Sequence, residues 1–206
     1  MVTEADARLL EYGSTIVLIA GGHITPLASD TLRERRVSVV RGSNDVEVES
    51  LAPVAAIRTV AIAGDHTSLA LKAAIVQHLR GRGIAAHDLG TAGTEPVDYP
   101  DTASVAAIQV SRGEADAAIV IDGAGLGSTI AANKVRGARA AMCLNETLAR
   151  YARQHNGANV LALGSTLVTI EQALVIVDTF LGTPMKEARY IRRLAKIRDL
   201  ELRSGQ

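Results

Sequence analysis

The stretch from Ile121 to Lys134 puts a carboxylate, Asp122, at the end of an apolar run and follows it with Gly123, Gly125 and Gly127 at alternate positions, then Ser128. That order suggests a base beside an anion cradle, because alternate glycines leave backbone N–H groups open to a phosphate or an oxyanion. Other groups suited to moving protons sit at similar breaks in the chain: Asp65 and His66 directly after Gly64, and His155 in Arg153-Gln154-His155-Asn156-Gly157. Each also has a plainer reading. Asp65 fits the cap of a helix starting near Thr67 as well as it fits a site, and His155 at a helix C-terminus would complement the helix dipole as a cation. His66, behind a glycine at a strand terminus, fits a site better than a solvated turn, whereas His23, His78 and His87 read as structural or surface residues. Cys143, in the apolar run 138–143, reads as a small buried hydrophobe. Near the C-terminus, Arg189, Arg193 and Lys196 share one side of a helix while Arg192 is turned away. They form either a solvated face or, through Arg189 and Arg193, a forked grip on a phosphate.

The elements that must position these groups follow from periodicity. Short apolar runs near 58–63, 84–89, 116–121, 138–143 and 159–163 alternate with amphipathic stretches near 67–82, 101–112, 127–134 and 145–155, followed by helices near 169–181 and 184–202. This is an α/β pattern: a five-stranded parallel sheet with helices on both faces, doubly wound, and a C-terminal helix. In such sheets ligands bind beyond the carboxyl ends of the strands, which selects Gly64-Asp65-His66, Asp122-Gly123 and Gly164-Ser165. Asp98-Tyr99-Pro100-Asp101, Asn145 and Thr183-Pro184 supply helix starts. Residues 1–56 read as an N-terminal helix/strand extension and linker, and 57–206 as the main domain. Within the extension, Thr3 to Asp6 forms a capping-box-like start to a short helix carrying Leu9 and Leu10, and an apolar run covers Ile16 to Ala20. Thr25-Pro26 opens a helix near 26–36, a strand follows at Val37 to Val40, and 41–56 reads as a polar linker.

Composition narrows the partner. Lys+Arg and Asp+Glu both number 22, so no overall field draws the chain to nucleic acid or to an anionic membrane. No apolar run reaches the ~18 residues of a membrane span and no signal peptide is evident, which points to a cytoplasmic protein. One cysteine excludes an intramolecular disulfide framework and a cysteine-rich metal site. Four Tyr, one Phe and no Trp leave few stacking platforms for bases, and a small-molecule substrate is the expected partner.

These motifs carry a family resemblance. From about residue 57 to 200 the chain resembles the type B ribose-5-phosphate isomerase and galactose-6-phosphate isomerase family. The likeness rests on the run from Ala61 to His66, Leu71-Lys72, the runs 88–91, 97–101 and 113–116, the glycine loop through Asn133-Lys134, the run from Arg153 to Asn156, the run 159–164 and Ile176-Val177-Asp178. It implies a Rossmann-like sheet and a homodimer or dimer of dimers with active sites shared between subunits. It also implies cofactor-independent, metal-free interconversion of an aldose phosphate and a ketose phosphate. By that likeness Asp65 and His66 contact the sugar and its phosphate end, His155 assists ring opening, and Tyr99 and Asn156 line the sugar. Asn133 belongs to the same set, Arg189 and Arg193 hold the phosphate, and the backbone N–H groups from Gly123 to Ser128 stabilise an enediolate.

Departures from the family pattern are specific. Many members carry a cysteine base where this chain has Asp122, and another branch uses glutamate at the position of Ser128. The hydroxyl residue common at Ala124 is missing, and a phosphate-binding arginine appears here as Thr166. A carboxylate can take a proton from a weakly acidic C–H, and Asp122 is close to the span of a cysteine side chain, so Asp122 is the expected replacement base. The competing expectation is a sugar-phosphate sensor or scaffold that kept the pocket and lost the base. Dinucleotide binding fits less well, because the loop is G-x-G-x-G and not G-x-G-x-x-G. The segment from Thr25 to Val40 also resembles one found in enzymes of bacterial microcompartments. An oligomerisation or core-burying appendage explains it as well.

Overall fold

A computed structural model describes residues 1–18, 22–41, 51–54 and 56–204. They fall into two compact units, Met1–Ser50 and Leu51–Gln206.

In the first unit, helix α1 (Glu4–Leu9) begins with the capping box expected from the sequence: Thr3 Oγ1 accepts from Asp6 N, and Asp6 Oδ2 accepts from Thr3 N at 2.8 Å. The Thr3 hydroxyl lowers the Asp6 carboxyl from its ordinary value. Strand β1 (Thr15–Leu18) pairs in parallel with β2 (Ser38–Arg41) through the crossover helix α2 (Pro26–Glu34), which Thr25 caps and Pro26 opens. Ala7, Ala28, Leu32 and Val37 form a small core of its own. The end of the expected apolar run, at 19 and 20, and most of the 41–56 linker lie outside the described residues. Of that linker, Leu51 and Ala52 pack with Met185, Tyr190 and Leu194, and half-buried Arg139 and buried Arg153 donate to the Leu51 and Val54 carbonyls.

The second unit contains the doubly wound sheet. Strands β3 (Thr59–Gly64), β4 (Ala85–Asp88), β5 (Ala117–Asp122), β6 (Ala140–Met142) and β7 (Val160–Gly164) are all parallel, in the order β4-β3-β5-β7-β6. Alternation along the strands gives the sheet two unlike faces. Val60, Ile62, Ile119, Ile121, Leu161 and Leu163 turn their bulk toward α3 (Leu69–Gly81), α6 (Glu146–Asn156) and α7 (Ile170–Gly182), where Phe180 is also buried. On the opposite face Ala61, Ala63, Ala118 and Ala162 meet Ala103, Ala106 and Ala107 of α4 (Tyr99–Ser111) and Ala132 of α5 (Leu126–Ala132). Small residues on both partners let these two helices lie close over the sheet.

Most boundaries shift by one or two residues from the sequence reading, and two of the shifts have a clear cause. The strand expected over 138–143 shortens to Ala140–Met142, because side-chain amides take the ladder positions before it: Asn159 Oδ1 accepts from Arg139 N and Asn133 Oδ1 from Ala140 N. The last helix, expected from 184, is α8 (Ala188–Ser204). Thr183 is held extended before Pro184, as steric contact with a following proline favours, and the chain stays irregular while Met185 is buried.

Candidate active site

The strand order reverses between β3 and β5. Sequential strands run outward from β3 to β4, and the chain then returns to the other side of β3, which opens a crevice at the carboxyl ends of the two strands. Asp65 follows β3 and Asp122 is the last residue of β5, where it pairs with Gly164 of β7. Both carboxylates are buried, at 6% and 4% exposure. Asp65 N donates to the Ile121 carbonyl at 3.1 Å, which locks the two strand ends together.

Asp122 is held by its own glycine loop. Its Oδ1 accepts from Ala124 N at 2.9 Å and from Gly125 N, and its Oδ2 accepts from Ser128 N at 2.7 Å. Three of the N–H groups assigned by sequence to a substrate oxyanion are therefore bonded to Asp122. The glycines themselves have packing reasons. Gly125 is left-handed (φ +77°), and a Cβ there would lie 2.9 Å from the Leu163 carbonyl carbon, so the loop is pressed onto the end of β7. A Cβ at Gly127 would meet the Tyr99 ring at 2.5 Å, which places Tyr99 over the loop. Ser128 Oγ is buried and, among the described residues, has no hydrogen-bond partner.

His66 belongs to the same crevice, with Nδ1 facing Val97 N at 3.3 Å and so tying the approach to Tyr99 to β3. Three hydroxyl residues complete the rim. Thr67 Oγ1 donates to Asp65 Oδ1 at 2.6 Å and lies 3.1 Å from Ser165 Oγ, and Thr166 Oγ1 donates to the Gly123 carbonyl at 2.7 Å. In the sequence Thr67 marks only a helix start and Ser165 only a strand end. Their signal was position, directly behind strand termini, and not residue type. Lys72, with its ammonium 2.5 Å from Asp88 Oδ1, is buried and committed to that pair, which joins α3 to the end of β4.

The remaining expected residues gather elsewhere. His155 and Asn156 end α6, just before β7 begins, so they lie at the amino edge of the sheet. The strand rise alone puts Asp122 about 13 Å from that edge. There His155 is sandwiched between the rings of Tyr151 and Tyr190, at 4.7 and 4.6 Å. Arg189 and Arg193 both lie over Tyr190, at 4.7 and 5.4 Å. The paired face expected for those arginines is present, and a hydrogen bond from Arg189 to Glu187 raises its guanidinium above the ordinary value. Tyr151 and Tyr190 were missed, although Tyr151 stands one helical turn before His155. Asn133 is engaged in structure, with its amide bonded to Thr129 O, Ala140 O and Ala140 N. It shares with Asn156, Lys134, Arg136, Arg139 and Glu201 a cavity of about 740 Å³ at this amino edge, away from the crevice. Among the described residues no three His, Cys, Asp or Glu side chains converge as metal ligands.

One chain thus carries two polar clusters on opposite sheet edges. One has buried carboxylates, an imidazole and hydroxyls, and the other has an imidazole, tyrosines and two arginines. A doubly wound parallel sheet with buried carboxylates at the switch point is the class that this fold and site define. Residues 60–197 match the Ribose/Galactose Isomerase family, and the chain belongs to that family. It is 43% identical over 147 residues to the ribose-5-phosphate isomerase B of Escherichia coli strain K12, covering 71% of this chain and 99% of that protein. The structure of Clostridium thermocellum ribose-5-phosphate isomerase B superposes with a TM-score of 0.70 at 46% identity, over 71% of this chain and 99% of the other. The Mycoplasma genitalium ribose-5-phosphate isomerase B, solved with ribulose-5-phosphate bound, gives 0.67 at 41% identity, over 69% and 95%.

Proposed function

We propose that the protein interconverts an aldose phosphate and a ketose phosphate through an enediolate, with ribose 5-phosphate and ribulose 5-phosphate or a related tetrose or hexose phosphate as substrate and Asp122 as the base. The observation that carries this is the Asp122 carboxylate, buried at the switch point beside Asp65 and His66 in a chain of the isomerase family. In this mechanism His155 moves a proton to or from the ring oxygen to open the sugar. Asp122 then takes the proton from C2 as the C1 carbonyl gains one on oxygen, and returns it to C1. No organic cofactor enters. Arg189 and Arg193 grip the phosphate, Tyr99 and Asn156 border the sugar, and the reaction runs in the cytoplasm.

The two clusters complement one another chemically, which supports a homodimer or dimer of dimers in which the amino edge of one copy faces the crevice of another. Asp122→Asn keeps the shape and removes the base, and it is expected to lower kcat by about a thousandfold or more, the upper part of the range for proton-transfer groups. An assay over four-, five- and six-carbon aldose phosphates checks it, and parental turnover in the variant would exclude Asp122 as the base.

The three N–H bonds on Asp122 favour a second reading, in which the carboxylate plugs the cradle of a sugar-phosphate sensor or scaffold. Binding of the same phosphates without turnover, followed by calorimetry, would decide for it.

A further inference from the structure

A line of hydroxyl groups crosses the mouth of the crevice from β7 to β3. Thr67 Oγ1 donates to Asp65 Oδ1 at 2.6 Å, while Thr67 N donates to the same oxygen at 2.9 Å. A carboxylate only accepts, so the Thr67 proton points at Asp65 and its oxygen is left to accept from Ser165 Oγ, 3.1 Å away. Ser165 ends the line, and among the described residues its hydroxyl has no other partner. Its backbone is tied to the base, with Ser165 N donating to the Asp122 carbonyl at 2.8 Å. Thr67 also borders the glycine loop, since a Cβ at Gly123 would lie 4.0 Å from its Oγ1. The line runs from half-buried Ser165 through exposed Thr67 to the buried Asp65 carboxylate.

Isomerisation moves two protons, one between carbons and one between oxygens. Of the roughly four lone-pair directions of a carboxylate, three on Asp122 are filled by backbone N–H groups, which leaves it one direction for the carbon-bound proton. Ala124, on the glycine loop, has no hydroxyl to carry the other.

On the isomerase reading above, we propose that Ser165, oriented through Thr67 by Asp65, carries the oxygen-bound proton between O2 and O1 of the substrate. Asp122 takes the C2 proton, the C2–H pair forms the C1–C2 double bond and the carbonyl pair moves to O1; the O1 of this enediolate then takes the Ser165 hydroxyl proton as that hydroxyl turns from Thr67 Oγ1. Ser165 Oγ takes the proton of the O2 hydroxyl. C2=O2 then forms as the double-bond pair accepts the carbon proton from Asp122 at C1. Protons and electrons balance with no outside reactant. Ser165 meets the substrate, and Thr67 is a positioning residue.

The test compares Ser165→Ala, Thr67→Val and Thr67→Ser in the full chain. It uses whichever of erythrose 4-phosphate, ribose 5-phosphate or allose 6-phosphate the parent turns over fastest, and reads kcat, KM and deuterium wash-in at C2 of unreacted substrate in heavy water. Ser165→Ala is expected to lower kcat about tenfold or more with KM within about threefold, while wash-in stays near the parental rate because Asp122 still works. Thr67→Val loses part of kcat and Thr67→Ser restores it. The double variant Ser165→Ala/Thr67→Val is no slower than Ser165→Ala alone, because both act in one line. Parental kcat in Ser165→Ala overturns the relay, and so does wash-in falling in step with turnover. A parent that shows neither turnover nor wash-in on any of the three overturns the isomerase reading, and the relay falls with it.

Discussion

At the residue scale, environment assigns the roles. Asp122 and Cys143 differ in what surrounds them. The carboxylate sits at a strand end with three N–H donors on its oxygens, and the thiol sits inside the bulky face of the sheet. Burial pushes the Cys143 thiol up to about 12 from its ordinary 9.0. The native protein is therefore expected to resist iodoacetamide at pH 8 while the unfolded chain reacts, which mass spectrometry of the alkylated protein checks. The same shift has a sign for stability. Below pH 9 the thiol is protonated in both states. Between 9 and 12 it ionises first in the unfolded chain, so its contribution to stability is lost as pH rises through that window. Denaturant midpoints of the parent and of Cys143→Ala are expected to draw closer together over that window.

At the element scale, glycines and short side chains set how closely loops and helices approach the sheet. Gly125 combines a left-handed backbone with contact against the end of β7. Gly125→Ala is expected to cost about 1–3 kcal/mol of stability from the backbone strain alone, with further loss from the close contact, and to cut activity, because the loop that holds Asp122 must lift. Thermal melting read beside kcat checks both effects. The nearest atoms that Gly127→Ala meets belong to the ring of the partly exposed Tyr99, which can turn aside. It is expected to melt within a few degrees of the parent, a range that about 1 kcal/mol spans in a domain of this size. Equal losses of stability in the two variants would contradict this account.

At the scale of the whole molecule, the sheet keeps the buried carboxylates Asp65 and Asp122 on one edge and His155, Arg189 and Arg193 on the other. Asp122→Asn and His155→Ala, each inactive as a pure protein, are expected on mixing and subunit exchange to recover about a quarter of parental activity, since random dimers are half hybrid and each hybrid keeps one intact site. No recovery from a mixture shown to have exchanged would mean that each chain works alone. The Met1–Ser50 unit has its own core, so removing residues 1–50 is expected to leave turnover unchanged. Loss of folding on that deletion would make the unit structural and not an address such as one toward a bacterial microcompartment.

Much of this was legible in the residues. Strand alternation at Val60–Ile62 and Leu161–Leu163, the caps at Thr3, Thr25 and Asn145, and the strand-end placement of Asp65, His66 and Asp122 all follow from local rules, because the period of a strand and the donors of a helix terminus depend on near neighbours. The family itself could be read from motif order. Other features depend on contacts far apart in the chain, which only the tertiary structure decides. Thr67 and Ser165 are ninety-eight positions apart and meet only because β3 and β7 flank β5. Tyr190 reaches His155 only once α8 docks on the end of α6. The residue order of the glycine loop suggests an open cradle, yet three of its N–H groups fold back onto Asp122, since a buried carboxylate takes the nearest donors available to it.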